Sequence, residues 1–186
     1  MKKNVLLASL ILLSAHTAGA QQAAGVISIY MDVQGSDCGL VAGGVPTNTW
    51  NLVHVLTTGA TAIQFQATMP ACATGIMFLS DQAQFPVTVG DSQTGVAIGY
   101  GVCLTGPIHV LSIVSFGSTA NTCCNYPITG DPDTPSGTVE VVDCAGNLLT
   151  NVPSQAGMIN STAGCLCGNP PVEASTWGRV KSLYSD

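Results

Sequence analysis

Catalysis at a side chain needs a base, a nucleophile and a group that stabilises developing charge, and the middle of this chain holds few of them. Between residues 21 and 168 the only imidazoles are His54 and His109, and there is no Lys or Arg. Each His sits in an apolar run, Leu52-Val53-His54-Val55 and Ile108-His109-Val110, which points to a place in a sheet rather than to a catalytic or ligand role. Ser and Thr are abundant, yet no Gly-x-Ser-x-Gly elbow singles one out as a nucleophile. Four carboxylates fall close together in sequence: Asp131 and Asp133 in Gly130-Asp131-Pro132-Asp133-Thr134-Pro135, then Glu140 and Asp143. Aspartates among prolines and glycine read first as turn residues whose side chains cap backbone amides. Their hard oxygens also suit Ca²⁺, so Asp131 and Asp133 are the expected ligands if the protein takes a metal, the one cofactor the sequence suggests. A secreted hydrolase built on Asp131, Asp133, Glu140 or Asp143, or a Ca²⁺-dependent carbohydrate-binding domain on the Asp131/Asp133 loop, is the alternative function. The scarcity of catalytic groups favours a non-enzymatic module used for structure, adhesion or ligand binding.

Charge narrows the partners. The chain has 4 Lys and Arg against 10 Asp and Glu, a net charge of −6. Two of the four basic residues, Lys2 and Lys3, lie in the first few residues, and the other two, Arg179 and Lys181, lie near the end. A body without cations cannot neutralise phosphates, which excludes nucleic acid as a partner and disfavours anionic lipid. A glycan or another protein remains as its ligand.

Eight cysteines, Cys38, Cys72, Cys103, Cys123, Cys124, Cys144, Cys165 and Cys167, all follow the first 20 residues. An even number in an exported chain implies disulfides rather than metal binding, since no C-x₂-C pair with His partners is present. The expected pairs join Cys38 to Cys72, Cys103 to one of Cys123 and Cys124, and Cys144 to Cys165 or Cys167. A bond between the neighbours Cys123 and Cys124 is the least favoured, because it would be strained.

These groups must be carried by strands. Val26 to Val33 alternates, with Ile27, Ile29, Met31 and Val33 on one face and Ser28, Tyr30 and Asp32 on the other, the pattern of a half-buried strand. Further runs are Thr49–Thr57, Ala62–Met69, Ile76–Leu79, Phe85–Val89, Val96–Leu104, Ile108–Phe116, Thr138–Cys144 and Gly157–Asn160. In Ala62–Met69 the residues Ile63, Phe65, Ala67 and Met69 face inward and Gln64, Gln66 and Thr68 outward. Thr105-Gly106-Pro107 reads as the turn of a hairpin between its two flanking strands. Ile108–Phe116 is apolar on both faces and belongs in the middle of a sheet or between layers. Trp50 and Tyr100 are expected in the core. Short strands with turn signals about every eight to twelve residues, and no helical periodicity between them, predict an all-β fold. That fold is a disulfide-stapled antiparallel β-sandwich of about eight to ten strands, immunoglobulin-like in type, with a β-barrel as the alternative. Asn160-Ser161-Thr162 matches a glycosylation sequon, a pattern common by chance.

The two ends have separate roles. Residues 1–20 combine Lys2 and Lys3, a short apolar centre and the small-residue exit Ala18-Gly19-Ala20, which is a signal peptide cut after Ala20. The apolar run is about ten residues where a membrane span needs about 20, so the protein is expected to be exported to the extracellular space or outer cell surface, or else the periplasm, with no transmembrane span after cleavage. Residues 21–168 form the sandwich, and residues 169–186 a proline linker and tail. In that tail Ser175 or Thr176 caps a short helix on which Trp177, Val180 and Tyr184 recur at i, i+3 and i+7 beside Leu183. Arg179 and Lys181 fall toward its later part, as the helix dipole prefers. About ten residues including Gly178 are too few for a helix that stands alone, so the apolar stripe needs a surface to dock on.

Val172-Glu173-Ala174-Ser175-Thr176-Trp177-Gly178-Arg179-Val180-Lys181-Ser182-Leu183-Tyr184 resembles the C-terminal tail, of the form (S/T)-x-W-G-x-(V/I)-K-x-L-Y, shared by many exported proteins of environmental Gram-negative bacteria. Chains of that group commonly end in Tyr-Arg, whereas here Ser185 and Asp186 follow Tyr184. The resemblance implies a Cys-bearing sandwich of immunoglobulin-like or cohesin-like type behind a signal peptide. It brings no activity or catalytic residue with it. The tail itself is expected to meet sorting machinery or a cell-surface component, with a helix that packs on its own body as the alternative.

Overall fold

The computed structural model describes residues 24–43 and 47–167. Its strands are β1 (Val26–Tyr30), β2 (Gly39–Leu40), β3 (Thr47–Val55), β4 (Ala60–Phe65), β5 (Ile76–Ala83), β6 (Val87–Asp91), β7 (Gly95–Leu104), β8 (Ile108–Gly117), β9 (Cys124–Tyr126), β10 (Glu140–Asp143), β11 (Leu148–Leu149), β12 (Ser154–Gln155) and β13 (Gly157–Ile159). The first sheet runs β12-β1-β3-β8-β5, the second β11-β10-β4-β7-β6, and a small third sheet β2-β13-β9. No helix occurs among the described residues. The predicted signal peptide and the predicted tail helix both lie outside them.

The two large sheets pack face to face because each presents one apolar row per strand. Ile27 and Ile29 of β1, Trp50 and Leu52 of β3, and Leu111 and Ile113 of β8 meet Ile63 and Phe65 of β4, Val96 and Ile98 of β7, and Val141 of β10 in one buried cluster. Trp50 stacks edge-on against Tyr126 with ring centroids 5.7 Å apart, so the third sheet closes one end of this core. The β4 alternation is as expected, with Ile63 and Phe65 buried. β8 lies between β3 and β5, with both faces largely covered. Each sheet ends in unpaired edge strands, so the molecule is an open sandwich and the barrel alternative falls away.

Several expectations are corrected. Pairing is mostly antiparallel, but β12 joins β1, and β13 joins β2, in parallel. Thr105-Gly106-Pro107 does not turn a hairpin: β7 belongs to the second sheet and β8 to the first, so this segment carries the chain across the sandwich. Val26 to Val33 is shorter than its alternation suggests and is covered on both sides, all five residues of β1 being buried. Met31 to Val33 leave the strand because the Asp32 carboxylate draws the chain into a turn. It accepts from Gln34 N at 2.8 Å, Ser36 N at 3.2 Å, Ser36 Oγ at 3.0 Å and Asp37 N at 2.6 Å. That turn folds back over β1 and β3, and Gly35 (φ 74°) packs so closely on Val55 that a side chain there would collide with it.

All eight cysteines are paired, but in none of the expected combinations. The bonds are Cys38–Cys167, Cys72–Cys124, Cys103–Cys144 and Cys123–Cys165. The vicinal residues go opposite ways: Cys124 is buried in β9 and reaches Cys72, whereas Cys123, at φ 59°, turns outward to Cys165. Cys103 meets Cys144 because β7 and β10 flank the same strand, β4, with Leu104 and Asp143 both opposite Ala60. The Cys165-Leu166-Cys167 segment is fastened at both sulfurs, once to the third sheet and once to the loop that holds Cys38.

Candidate functional site

The outer face of the second sheet carries a groove made by its register. One row of side chains crosses all five strands: Leu148 opposite Val142, Val142 opposite Ala62, Ala62 opposite Gly99, and Gly99 opposite Val87. The next row on the same face runs Glu140, Gln64, Ala97 and Val89. Small residues, Ala62, Ala97 and Gly99, thus occupy the central strands β4 and β7, while larger valines and a leucine stand on β6, β10 and β11. The result is a trough parallel to the central strands, with a volume of about 260 Å³. At Gly99 an added Cβ would already touch Val87 at 3.4 Å, so the floor is as low as a side chain permits. The walls face water: Val87 is 59% exposed, Val89 70% and Leu148 57%.

One charged group lies in this trough. Glu140 is 7% exposed and faces Gln64 across the β4–β10 pair. The Gln64 amide donates to Asp131 Oδ2 at 2.9 Å, which ties the outer face to the 130–138 loop. A half-apolar trough with one carboxylate and no cation can recognise shape and a positive charge brought by a partner. It offers no base and nucleophile in contact with one another.

The other singled-out residues are placed as follows. Asp131 is buried, and its Oδ1 accepts from Asp133 N at 2.9 Å while its carbonyl accepts from Thr134 Oγ1 at 2.8 Å, the capping role read from the sequence. Asp133 is exposed in the same turn. Among the described residues no three His, Cys, Asp or Glu side chains gather where a metal ion would sit. Asp143 binds its own turn, accepting from Asn147 Nδ2, Asn147 N and Ala145 N, each at 2.8 Å. The bonds from Asn147, side chain first, hold its carboxyl below the usual range. Trp177, Val180, Leu183, Tyr184, Arg179 and Lys181 lie outside the described residues.

His54 is fully buried, with Nε2 2.6 Å from the Ala24 carbonyl and Nδ1 3.3 Å from Tyr100 Oη. A carbonyl only accepts, so Nε2 carries the proton and Nδ1 receives the Tyr100 hydroxyl. Burial lowers the His54 pKa and raises that of Tyr100. His109 Nε2 stands 3.1 Å from Ser112 Oγ, which donates to Asn51 Oδ1 at 2.8 Å. Because the serine proton is committed to Asn51, the imidazole donates to Ser112, the reverse of what a nucleophilic serine requires. Trp50 and Tyr100 are buried as expected. The sequon residue Asn160 uses its whole amide inside the protein: Oδ1 accepts from Ala42 N at 3.1 Å, and Nδ2 donates to Thr119 O at 2.9 Å and Asn121 O at 3.1 Å.

Sequence reasoning missed the groove. Its signal was a second apolar alternation, Val87 and Val89 on one strand and Ala97 and Gly99 on another, running opposite to the residues assigned to the core.

No protein-family model matches the chain, and no curated protein does. Among solved structures it is similar to a chain of the complex between the sixth cohesin from Acetivibrio cellulolyticus scaffoldin B and a Cel5 dockerin mutant. That likeness has 15% identity and a TM-score of 0.47, and covers 73% of this chain and 97% of that one. A chain of the CaDoc0917–CaCohA2 complex is also similar, at 12% identity and a TM-score of 0.42, with 74% and 99% of the two chains covered.

Proposed function

We propose that this protein is a non-enzymatic, exported binding module that holds a protein partner against the outer face of its second sheet. One observation carries this reading: the row Leu148, Val142, Ala62, Gly99, Val87, which leaves an apolar trough open to water across a whole sheet. A sheet face with no partner is normally polar, and an open apolar trough costs solubility unless something covers it. Glu140 adds specificity. Since residues 24–167 contain no Lys or Arg, the cation that meets it comes from the partner.

The test places a photo-crosslinking residue at position 89 and, as a control, at position 82 on the exposed edge of the first sheet, in cells that make the protein. One partner protein recurring at position 89, and binding the purified wild type but not Val89→Asp, is the expected result. Capture that is equal at both positions, or unaffected by Val89→Asp, would remove the groove from the function. Turnover of a glycan or ester by the purified protein, abolished at a single Asp, would replace the reading with a hydrolase.

The ends complete the proposal. Residues 1–20 direct export, residues 21–168 form the binding module, and residues 169–186 are a linker and tail that either deliver the module to the cell surface or pack on its own body. Amino-terminal sequencing of the exported protein is expected to begin at Gln21. Deleting residues 172–186 separates the two uses: release of the module from the surface would assign the tail to sorting or attachment, and unchanged delivery with lowered stability would assign it to packing on the body.

A further inference from the structure

The outer face of the first sheet is organised differently from that of the second. Val26, Tyr30, Val53 and Val55 form a second buried cluster there, separate from the main core, with Cys38 in it and Cys167 packed against it. The Cys38–Cys167 bond therefore delivers the end of the described chain onto this face. Val55 continues the cluster into an open groove of about 260 Å³ lined by Gln34, Gly35, Val55, Leu56, Gly106 and Pro107.

Leu56 is costly as it stands. It is 55% exposed, and its φ of 59° puts a leucine where Gly or Asn is the usual residue. A large apolar side chain, held in a left-handed conformation, is left more than half exposed at the groove. Such an outlier is the kind that persists where the side chain has something to bind. Val33, 42% exposed, stands on the turn that forms the near side. Asp32 and Asp37 supply that turn with two carboxylates.

We infer that this groove is the docking site for the chain's own residues 172–184, with the Trp177, Val180 and Tyr184 stripe set against Leu56 and Val55 and with Arg179 and Lys181 toward Asp32 and Asp37. Three observations select this occupant over a foreign one. The tail is tethered by Cys167 to the cluster that contains Val55. Trp177 lies ten positions after Cys167, a reach of up to about 33 Å if extended, ample for a groove that shares a residue with the anchoring cluster. The tail also carries the only Lys and Arg beyond residue 3, facing a body that holds carboxylates alone. The site is independent of the partner groove, which lies on the other sheet, so either stands if the other fails.

The full mature chain contains two tryptophans: Trp50, fully buried in the core, and Trp177. The emission removed by Trp177→Phe therefore reports the tail alone. The expected result is a Trp177 component that is blue-shifted and shielded from acrylamide. Leu56→Gly, which suits the local φ, is expected to red-shift that component and raise its quenching constant at least threefold while the Trp50 component stays unchanged. A joint Arg179→Glu and Lys181→Glu change, or high salt, is expected to act in the same direction. Trp177 emission already that of an indole in water, or unmoved by both sets of variants, would overturn the inference. Shielding that disappears on dilution would assign the groove to a second copy of the chain and overturn it equally.

Discussion

At the scale of single residues, the buried His54 and the half-buried His109 set a pH dependence. Burial lowers the pKa of both His54 and His109, so each is neutral in the native state and gains a proton more readily when unfolded. Their contribution is complete above the unfolded value of 6.5 and is lost as pH falls from there toward the native values. The unfolding free energy from urea titrations is expected to fall as pH drops from about 7 to 5, by at most about 1.4 kcal/mol per pH unit from the buried His54 and by less from the partly exposed His109. His54→Gln keeps a donor for the Ala24 carbonyl and is expected to flatten this slope; a slope equal to wild type would show that His54 is not the linked group. A second loss belongs to Asp32 and Asp143. Burial pushes Asp32 up, but the donors from Ser36, Asp37 and Gln34 outweigh it and hold its carboxyl low. Both carboxylates lie below the ordinary value of 3.8, so their stabilisation is present above that pH and is lost as pH falls through the lower native values.

At the scale of elements, the Cys103–Cys144 bond ties β7 and β10 across the strand between them, closing a loop with a sequence separation of 41. Replacing both cysteines by Ala is expected to cost about 2–4 kcal/mol in urea unfolding of the oxidised protein. A change below about 0.5 kcal/mol would mean that the β4 pairing alone holds these strands. The same region shows what was legible in the sequence. Apolar runs between turn signals placed nine of the strands, and alternation gave the inward row of β4, because burial of one face imposes period two where a strand borders the core. It was silent on β2, β11 and β12, two residues each, and on β9, three residues, all too short to show a period. It also misled at Thr105-Gly106-Pro107, since a tight turn between strands of one sheet and a short crossing between sheets use the same residues. The disulfides were illegible for a related reason: Cys103 and Cys144 become neighbours only through β4, a strand some forty residues before the first of them. The groove was hidden by composition, for Ala62, Ala97 and Gly99 carry little signal until the register sets them side by side.

At the scale of the whole molecule, the two outer faces differ, one open and apolar on the second sheet, the other covered by the cluster against which Cys167 packs on the first. The described body is acidic throughout, so binding of a cationic partner at Glu140 is expected to weaken with ionic strength, and Glu140→Gln to remove most of that dependence. Titration of the crosslinked partner at low and high salt measures it; a salt slope unchanged in Glu140→Gln would place the charge contact elsewhere. Val89→Asp, on a side chain that is mostly solvated, is expected to leave stability within about 0.5 kcal/mol of wild type while abolishing that binding. A large loss of stability would mean that the valine supports the sheet rather than a partner.

The disulfide map also bears on how the protein matures. A chain that crosses a membrane amino-terminus first shows Cys38, then Cys72, then Cys103 and Cys123 to an oxidant, and thiols joined in order of appearance would give Cys38–Cys72 and Cys103–Cys123, neither of them native. The native partner of Cys38 is the last cysteine to emerge. Maturation must therefore either delay oxidation until the whole chain is across or reshuffle early bonds through mixed disulfides. Refolding of the reduced protein under an oxidant alone is expected to trap scrambled isomers, and a reshuffling thiol or isomerase to rescue the yield, which would make this chain a demanding client for any machinery that proofreads sulfur pairing.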